Sequence, residues 1–439
     1  MALYLYRVEG RVMKERLLAL RQMVRQVQAG TGMVAALAEA LIEAIDLTEP
    51  TLGAWHCFDP EYLRLQARQL DARPHKGRLH GLPVGIKDVI DTHDLPTGYG
   101  SRHYEGTRPA SDAGCVAMLR AEGALIVGKT VSTEFAFVAP GKTRNPYDPA
   151  HTPGGSSSGS AAAVGAGVVP VALGTQTSGS TIRPAAFCGI VGYKPSYGLI
   201  DRTGIKVLCE TLDTVGLLGW RVADVALVAS VLAQRPLEAQ AGTAAQKLRL
   251  GVFRPVFWHE ATPAALAVFE RALDRFRAAG HEIVELPDPG DFGALMAAHT
   301  AIMSWEVPRA LAYERLGDGA GLQPRTYENI QISPVTTAQV YDAAQAVACR
   351  ERALWKEAMT GLDAVLTLPA PGEAPLGLSS TGNPVFNRGW TQLGLPCVSL
   401  PAGHGAGGMP LGVQCVGAMG ADASLLAVAT ALETVLGAE

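Results

Sequence analysis

Three stretches of this chain carry residue types that could do chemistry: "GLPVGIKD", with Lys87, "GGSSSGSAAAVGAG", with a run of serines that begins at Ser156, and "GTQTSGSTIRPAAFCGIVGYKP", with Ser180. A serine hydroxyl is a poor nucleophile until a base takes its proton during attack. No histidine falls within these stretches, so a serine nucleophile there would take its base from another kind of group. Lysine serves when burial disfavours its charged form and lowers its pKa toward neutrality. Lys87 ends an apolar, β-branched run that reads as a buried strand, where such a shift is feasible. A lysine base with a serine nucleophile is suited to acyl transfer.

Two other motifs compete. "GALIVGKT" (Gly123 to Thr130) fits the phosphate-loop pattern, but its variable residues Ala, Leu, Ile and Val read as a strand instead of a loop that exposes its amides. "GSSSG" (Gly155 to Gly159) fits the nucleophile elbow of α/β-hydrolases, with Ser157 as nucleophile and Asp363 and His404 as partners in the required chain order. An elbow needs a hydrophobic strand directly before it, and "NPYDPAHTP" supplies three prolines. An esterase of that type is the weakest of the enzymatic readings.

The order and context of Lys87, Ser156 and Ser180, with the two serines 24 residues apart, resemble the Ser-cisSer-Lys triad of the amidase signature family. The resemblance runs from about residue 30 to the C-terminus through "IDTHDLPTGYGS", "LDTVGLLG", "DAVLTLPAP" and "NRGWTQLGLPCVSLP". Within the family the "GTQT" and "PGGSSSGSAAAVGAG" stretches look closest to malonamidase-like bacterial amidases.

The resemblance implies an α/β fold with a central, mixed, twisted β-sheet flanked on both sides by helices. It implies one amidase domain over residues 1–439, with an N-terminal helical segment, 1–75, packed on it. It also implies the roles. Neutral Lys87 draws a proton from Ser180 through the Ser156 hydroxyl, which can both donate and accept. Ser180 attacks the carbonyl and forms an acyl-enzyme. Ser156 follows a cis peptide bond from Gly155, and the backbone N–H groups of Thr177, Ser178, Gly179 and Ser180 form the oxyanion hole. The family often has glycine where this chain has Ser178, and aspartate where it has Gln176, which is read as supporting the loop. Arg183 either meets a substrate carboxylate with its planar fork or pairs internally and braces the loop. Ser157 and Ser158 are expected to be structural. Trp305, Tyr104 and Trp390 are pocket candidates that core packing explains as well.

The leading functional expectation is a free-standing amidase, cleaving a C–N amide or carbamate bond, with neither cofactor nor metal. The alternative is the glutamine-hydrolysing subunit of a tRNA-dependent amidotransferase. A silent scaffold is the third reading, and the intact triad argues against it. The expected partners are a small-molecule amide substrate and at most a second copy in a homodimer, with no nucleic acid and no membrane.

Composition supports an enzyme. The 439 residues are 48% hydrophobic and 18% charged, with a net charge of −4 and no basic cluster of the kind that marks a nucleic-acid surface. Seven scattered cysteines in apolar contexts read as core thiols of a cytoplasmic protein. No cleavable leader and no long apolar run stand out.

To position the triad, helical periodicity over residues 12–47 and in "PEYLRLQARQLDAR" predicts two or three leading helices. Strand and helix then alternate. "GLPVGIK" and "VVPVALGT" are predicted strands, 158–170 a buried helix, "VSTEFAF" the start of another, and "TPAALAVFERALDRFRAAG" an amphipathic helix ended by Gly280.

Overall fold

The computed structural model describes residues 6–238, 247–317 and 319–437, with the side chains of residues 6–14 left out. The extreme ends of the segments expected over 1–75 and 1–439 therefore lie outside the described residues.

Short runs, most of them rich in Val, Ile and Leu, supply eleven strands among the described residues: β1 (Trp55–Phe58), β2 (Pro83–Lys87), β3 (Leu125–Thr130), β4 (Val171–Gln176), β5 (Val191–Lys194), β6 (Thr214–Gly219), β7 (Arg249–Val252), β8 (Glu282–Glu285), β9 (Ala364–Thr367), β10 (Cys397–His404) and β11 (Pro410–Val416). They form one sheet in the order β1-β3-β2-β4-β6-β5-β10-β11-β9-β7-β8. Pairing is mixed. β2 runs parallel to β3 and β4, and β7 runs parallel to β8 and β9, while the strands between them are antiparallel. The central strands β2, β3, β4 and β6 are buried along their whole length, as continuous apolar runs covered on both faces must be. The observed fold is the twisted, helix-flanked α/β sheet that the sequence implied.

The leading helices are Tyr6–Gln28, Val34–Leu52 and Pro60–Asp71. Asp59 caps the third, accepting from the Tyr62 N–H at 3.0 Å, with Pro60 at its first position. Asp71, at the end of that helix, accepts from the N–H groups of Val34 and Ala35 at 2.8 and 2.9 Å and so satisfies the start of the second.

Three placements build the site. β2 and β4 are parallel neighbours with Ile86 beside Leu173, so Lys87 and the loop after Gln176 emerge at the same sheet edge, where α/β folds bind ligands. The helix Ser158–Gly165 packs against β2, β3 and β4 with every residue from Ser158 to Val164 buried. Small side chains permit that approach: a Cβ on Gly159 would lie 2.2 Å from the Ala54 carbonyl oxygen. Its N-terminus thereby brings the serine-rich loop to the same edge.

"VSTEFAF" does not begin an α-helix. It makes only a 3-10 turn over Glu134–Ala136, with Phe135 and Ala136 at φ 52° and 58°. Tertiary bonds override its local preference. The Phe135 N–H donates to the Tyr99 carbonyl at 2.8 Å, and Glu134 accepts from the Ser101 hydroxyl at 2.7 Å and the Gln323 N–H at 3.0 Å. The helix Pro263–Ala278 does stop before Gly280, at φ 92°. Among the described residues, no helix is long and apolar enough to cross a membrane.

Candidate active site

Lys87 is fully buried at the end of β2. Its Nζ lies 2.7 Å from Ser156 Oγ and 2.7 Å from Thr175 Oγ1. Burial lowers its pKa to about 7, and the opposing attraction of Asp213 is too weak to restore the ordinary lysine value. A lysine near half-ionised at neutral pH can accept a proton and return it.

Ser156 follows a cis peptide bond from Gly155. Gly154, at φ 83°, turns the chain into this bond, and a Cβ there would sit 2.8 Å from Pro184 Cα. Arg183 holds the bond from outside: its Nη2 donates to the Gly155 carbonyl at 2.7 Å and to Thr381 Oγ1 at 3.0 Å, while Nε donates to the Thr381 carbonyl at 2.8 Å. Its bracing contacts are thus occupied, but Nη1 is buried with no partner among the described residues.

Ser156 and Ser180 line one cavity of about 250 Å³ together with Thr177, Ser178 and Arg183. The Ser157 N–H donates to the Ser180 carbonyl at 3.4 Å, tying the two serine loops. Among the described residues, the N–H groups of Thr177, Ser178, Gly179 and Ser180 donate to no backbone carbonyl in the turn.

The loop itself is fixed from three sides. Gln176 accepts from the N–H groups of Thr181 and Ile182 at 2.9 and 3.0 Å and donates to Thr391 Oγ1 at 3.0 Å, the supporting part expected of it. Thr391 in turn donates to the Ser178 carbonyl at 2.9 Å. The Thr177 hydroxyl donates to Asp213 at 2.6 Å, and His299 Nε2 lies 3.1 Å from the Thr177 carbonyl oxygen. A carbonyl only accepts, so Nε2 carries the proton. Burial lowers the His299 pKa to about 4, which keeps the ring neutral. Ser178, the departure from the family pattern, points its hydroxyl to within 3.3 Å of both His299 Nε2 and Met303 Sδ.

Thr175, Asp213 and His299 escaped the sequence reading. Asp213 lies in the quoted "LDTVGLLG" stretch, so a signal existed; Thr175 and His299 become visible only through strand pairing and helix docking. The other sequence candidates do not assemble. Ser157 is fully buried and bonded to the Thr175 backbone, Asp363 accepts from the Arg249 N–H, and the His404 ring lies beside Tyr147. The lysine of "GALIVGKT", Lys129, is buried on β3 and donates to the Ile90 carbonyl and Thr97. Trp390 belongs to an aromatic cluster with Phe253, Phe292 and Trp355; Trp305 stacks on Tyr341, and Tyr104 donates to Glu314. None of the three lines the cavity.

A buried lysine, two serines and a turn of backbone amides define a serine hydrolase that acts on acyl carbonyls. Residues 36–426 match the Amidase family, and the chain belongs to that family. It is an amidase-signature hydrolase with a serine-based mechanism. It is 34% identical, over 93% of its length and 96% of the relative's, to the A subunit of the glutamyl-tRNA(Gln) amidotransferase of Anaeromyxobacter sp. (strain K). Among solved structures, a crystal structure of an amidase superposes with a TM-score of 0.86 at 29% identity, covering 94% of this chain and 99% of that one. The A subunit of the Thermotoga maritima glutamyl-tRNA(Gln) amidotransferase gives 0.76 at 26%, covering 96% and 94%.

These relatives correct the expected partners. The expectation of a chain acting alone on a small amide, or as a homodimer with no nucleic acid, does not match relatives that are subunits of a glutamyl-tRNA(Gln) amidotransferase. A charge pattern reports only whether a chain's own surface grips phosphates, and in an enzyme of several subunits another subunit can carry that contact.

Proposed function

We propose that this chain is the glutamine-hydrolysing subunit of a tRNA-dependent amidotransferase. The observation that carries the reading is the 34% identity to such a protein over nearly the full length of both chains. The malonamidase-like echo, by contrast, rests on two loops.

In this reading Ser180 attacks the side-chain amide carbon of glutamine. Ser156 passes the Ser180 proton to Lys87, whose depressed pKa makes it a competent base. The oxyanion is met by the amides of residues 177–180, and the proton held by Lys87 returns through Ser156 to the leaving nitrogen, releasing ammonia. Water then attacks the glutamyl ester on Ser180 by the same relay and frees glutamate. Arg183 braces the Gly155 carbonyl and offers Nη1 toward the bound substrate.

The test is reconstitution. With the remaining subunits of such an amidotransferase, the chain is expected to support glutamine-dependent amidation of glutamyl-tRNA(Gln), and to release ammonia from glutamine slowly when alone. Failure of amidation, with fast hydrolysis of unrelated amides by the lone chain, would overturn the reading.

A further inference from the structure

The charge of the cavity is one-sided. Three guanidinium groups line it, those of Arg183, Arg325 and Arg388, and no aspartate or glutamate does among the described residues. They are drawn together by one segment: Arg325 Nη1 donates to the Ser379 carbonyl at 3.2 Å, Arg183 Nε to the Thr381 carbonyl at 2.8 Å, and the helix that follows, Val385–Leu393, carries Arg388. None of the three forms an ion pair among the described residues, and Arg183 Nη1 and Arg388 Nε are buried without hydrogen-bond partners. Arg388 shares the cavity with Arg183, whose pKa is lowered first by burial and then by the charge of Arg388. Partly buried like charges with open donors are stabilised by an anion between them.

We propose that Arg388 is a specificity-determining residue that, with Arg183 Nη1, binds the carboxylate of an amide substrate, and that the pocket makes no charge contact with an α-ammonium group. Resting on the glutaminase reading, this narrows the recognised feature of glutamine to its carboxylate. An ammonium group would need a carboxylate partner to offset its desolvation, and this cavity has none to offer. The substrate class is therefore the ω-amide of a dicarboxylic acid, with or without an α-amino group.

The test uses the full chain with Ser180→Ala, which separates binding from turnover. Calorimetry would measure L-glutamine, glutaric acid monoamide and butyramide. The monoamide is expected to bind at least as tightly as glutamine, and butyramide at least about tenfold more weakly, the scale of a lost charged hydrogen bond. Adding Arg388→Gln should remove the monoamide's advantage over butyramide, and Arg388→Lys should keep part of it. Glutamine binding more than about tenfold tighter than the monoamide, equal binding of monoamide and butyramide, or an unchanged preference in Arg388→Gln would each overturn the proposal. Binding of the monoamide without binding of glutamine would sink the glutaminase reading and leave the carboxylate site standing.

Discussion

Thr175 Oγ1 lies 2.7 Å from Lys87 Nζ, the same distance that separates Nζ from Ser156 Oγ. When Lys87 is neutral it has two N–H donors and one lone pair. Donation to Thr175 turns that lone pair toward the Ser156 hydroxyl, the direction the proposed relay requires. Thr175→Val keeps the shape and removes the acceptor, so kcat should fall by about ten- to a hundredfold with little change in KM. Unchanged kcat would remove Thr175 from the mechanism.

The proposed base sets the pH profile. Only neutral Lys87 accepts a proton, and its pKa is about 7, so activity should fall as pH drops through about 7 and level off above it. His299 is already neutral across this range and adds no second limb. A pH–rate curve flat from about 5 to 9 would contradict the assignment.

Lys87 also has a cost in stability. Unfolded, its pKa returns to about 10.4, so between about 7 and 10.4 the unfolded chain binds the extra proton. The destabilisation is full below about 7 and fades as pH rises toward 10.4. Lys87→Met should thus lose activity by several powers of ten yet melt at a higher temperature at pH 7, an exchange of stability for function. A lower melting temperature at every pH would refute the desolvation account.

Gly179 leaves no room for a side chain: a Cβ would lie 2.4 Å from Asn387 Oδ1 and 3.1 Å from Arg183 Nη1. Gly179→Ala should shift the turn and misplace its amides, lowering kcat on the order of a hundredfold. Activity equal to wild type would show that the amides lie elsewhere.

His299 holds the same turn through the Thr177 carbonyl. His299→Leu removes that donor and should reduce kcat by about tenfold, whereas His299→Gln, which can still donate, should recover part of it. Equal losses in both variants would mean that packing, not the hydrogen bond, is what matters.

Lys87, Ser156 and Ser180 are legible only jointly: each alone reads as a surface lysine or a turn serine, and it is their order and context that resemble the family's triad, while the structure sets Lys87 2.7 Å from Ser156 and both serines on one cavity. The strands "GLPVGIK" and "VALGTQ" were legible each by itself: a strand buried on both faces is apolar throughout. Thr175 and His299 were not legible, since an ordinary threonine and a lone histidine acquire their roles only when β4 pairs with β2 and the helix Phe292–Ala310 docks on the loop. "VSTEFAF" failed differently, its helical pattern giving way to bonds from Tyr99, Ser101 and Gln323, all far away in the chain. The partner expectation rested on surface charge, which describes one chain and is silent about other chains, and the likeness to amidotransferase A subunits corrects it.

In the proposed mechanism, the parallel pairing of β2 with β4 makes the chemistry a gauge of assembly. Side chains alternate along a strand, so displacing β2 by one residue would swing Lys87 to the opposite face of the sheet, out of reach of Ser156. Every turnover would certify that these two strands have met in the correct alignment, and catalytic rate per mole of refolded chain would count the molecules whose central sheet is correctly zipped.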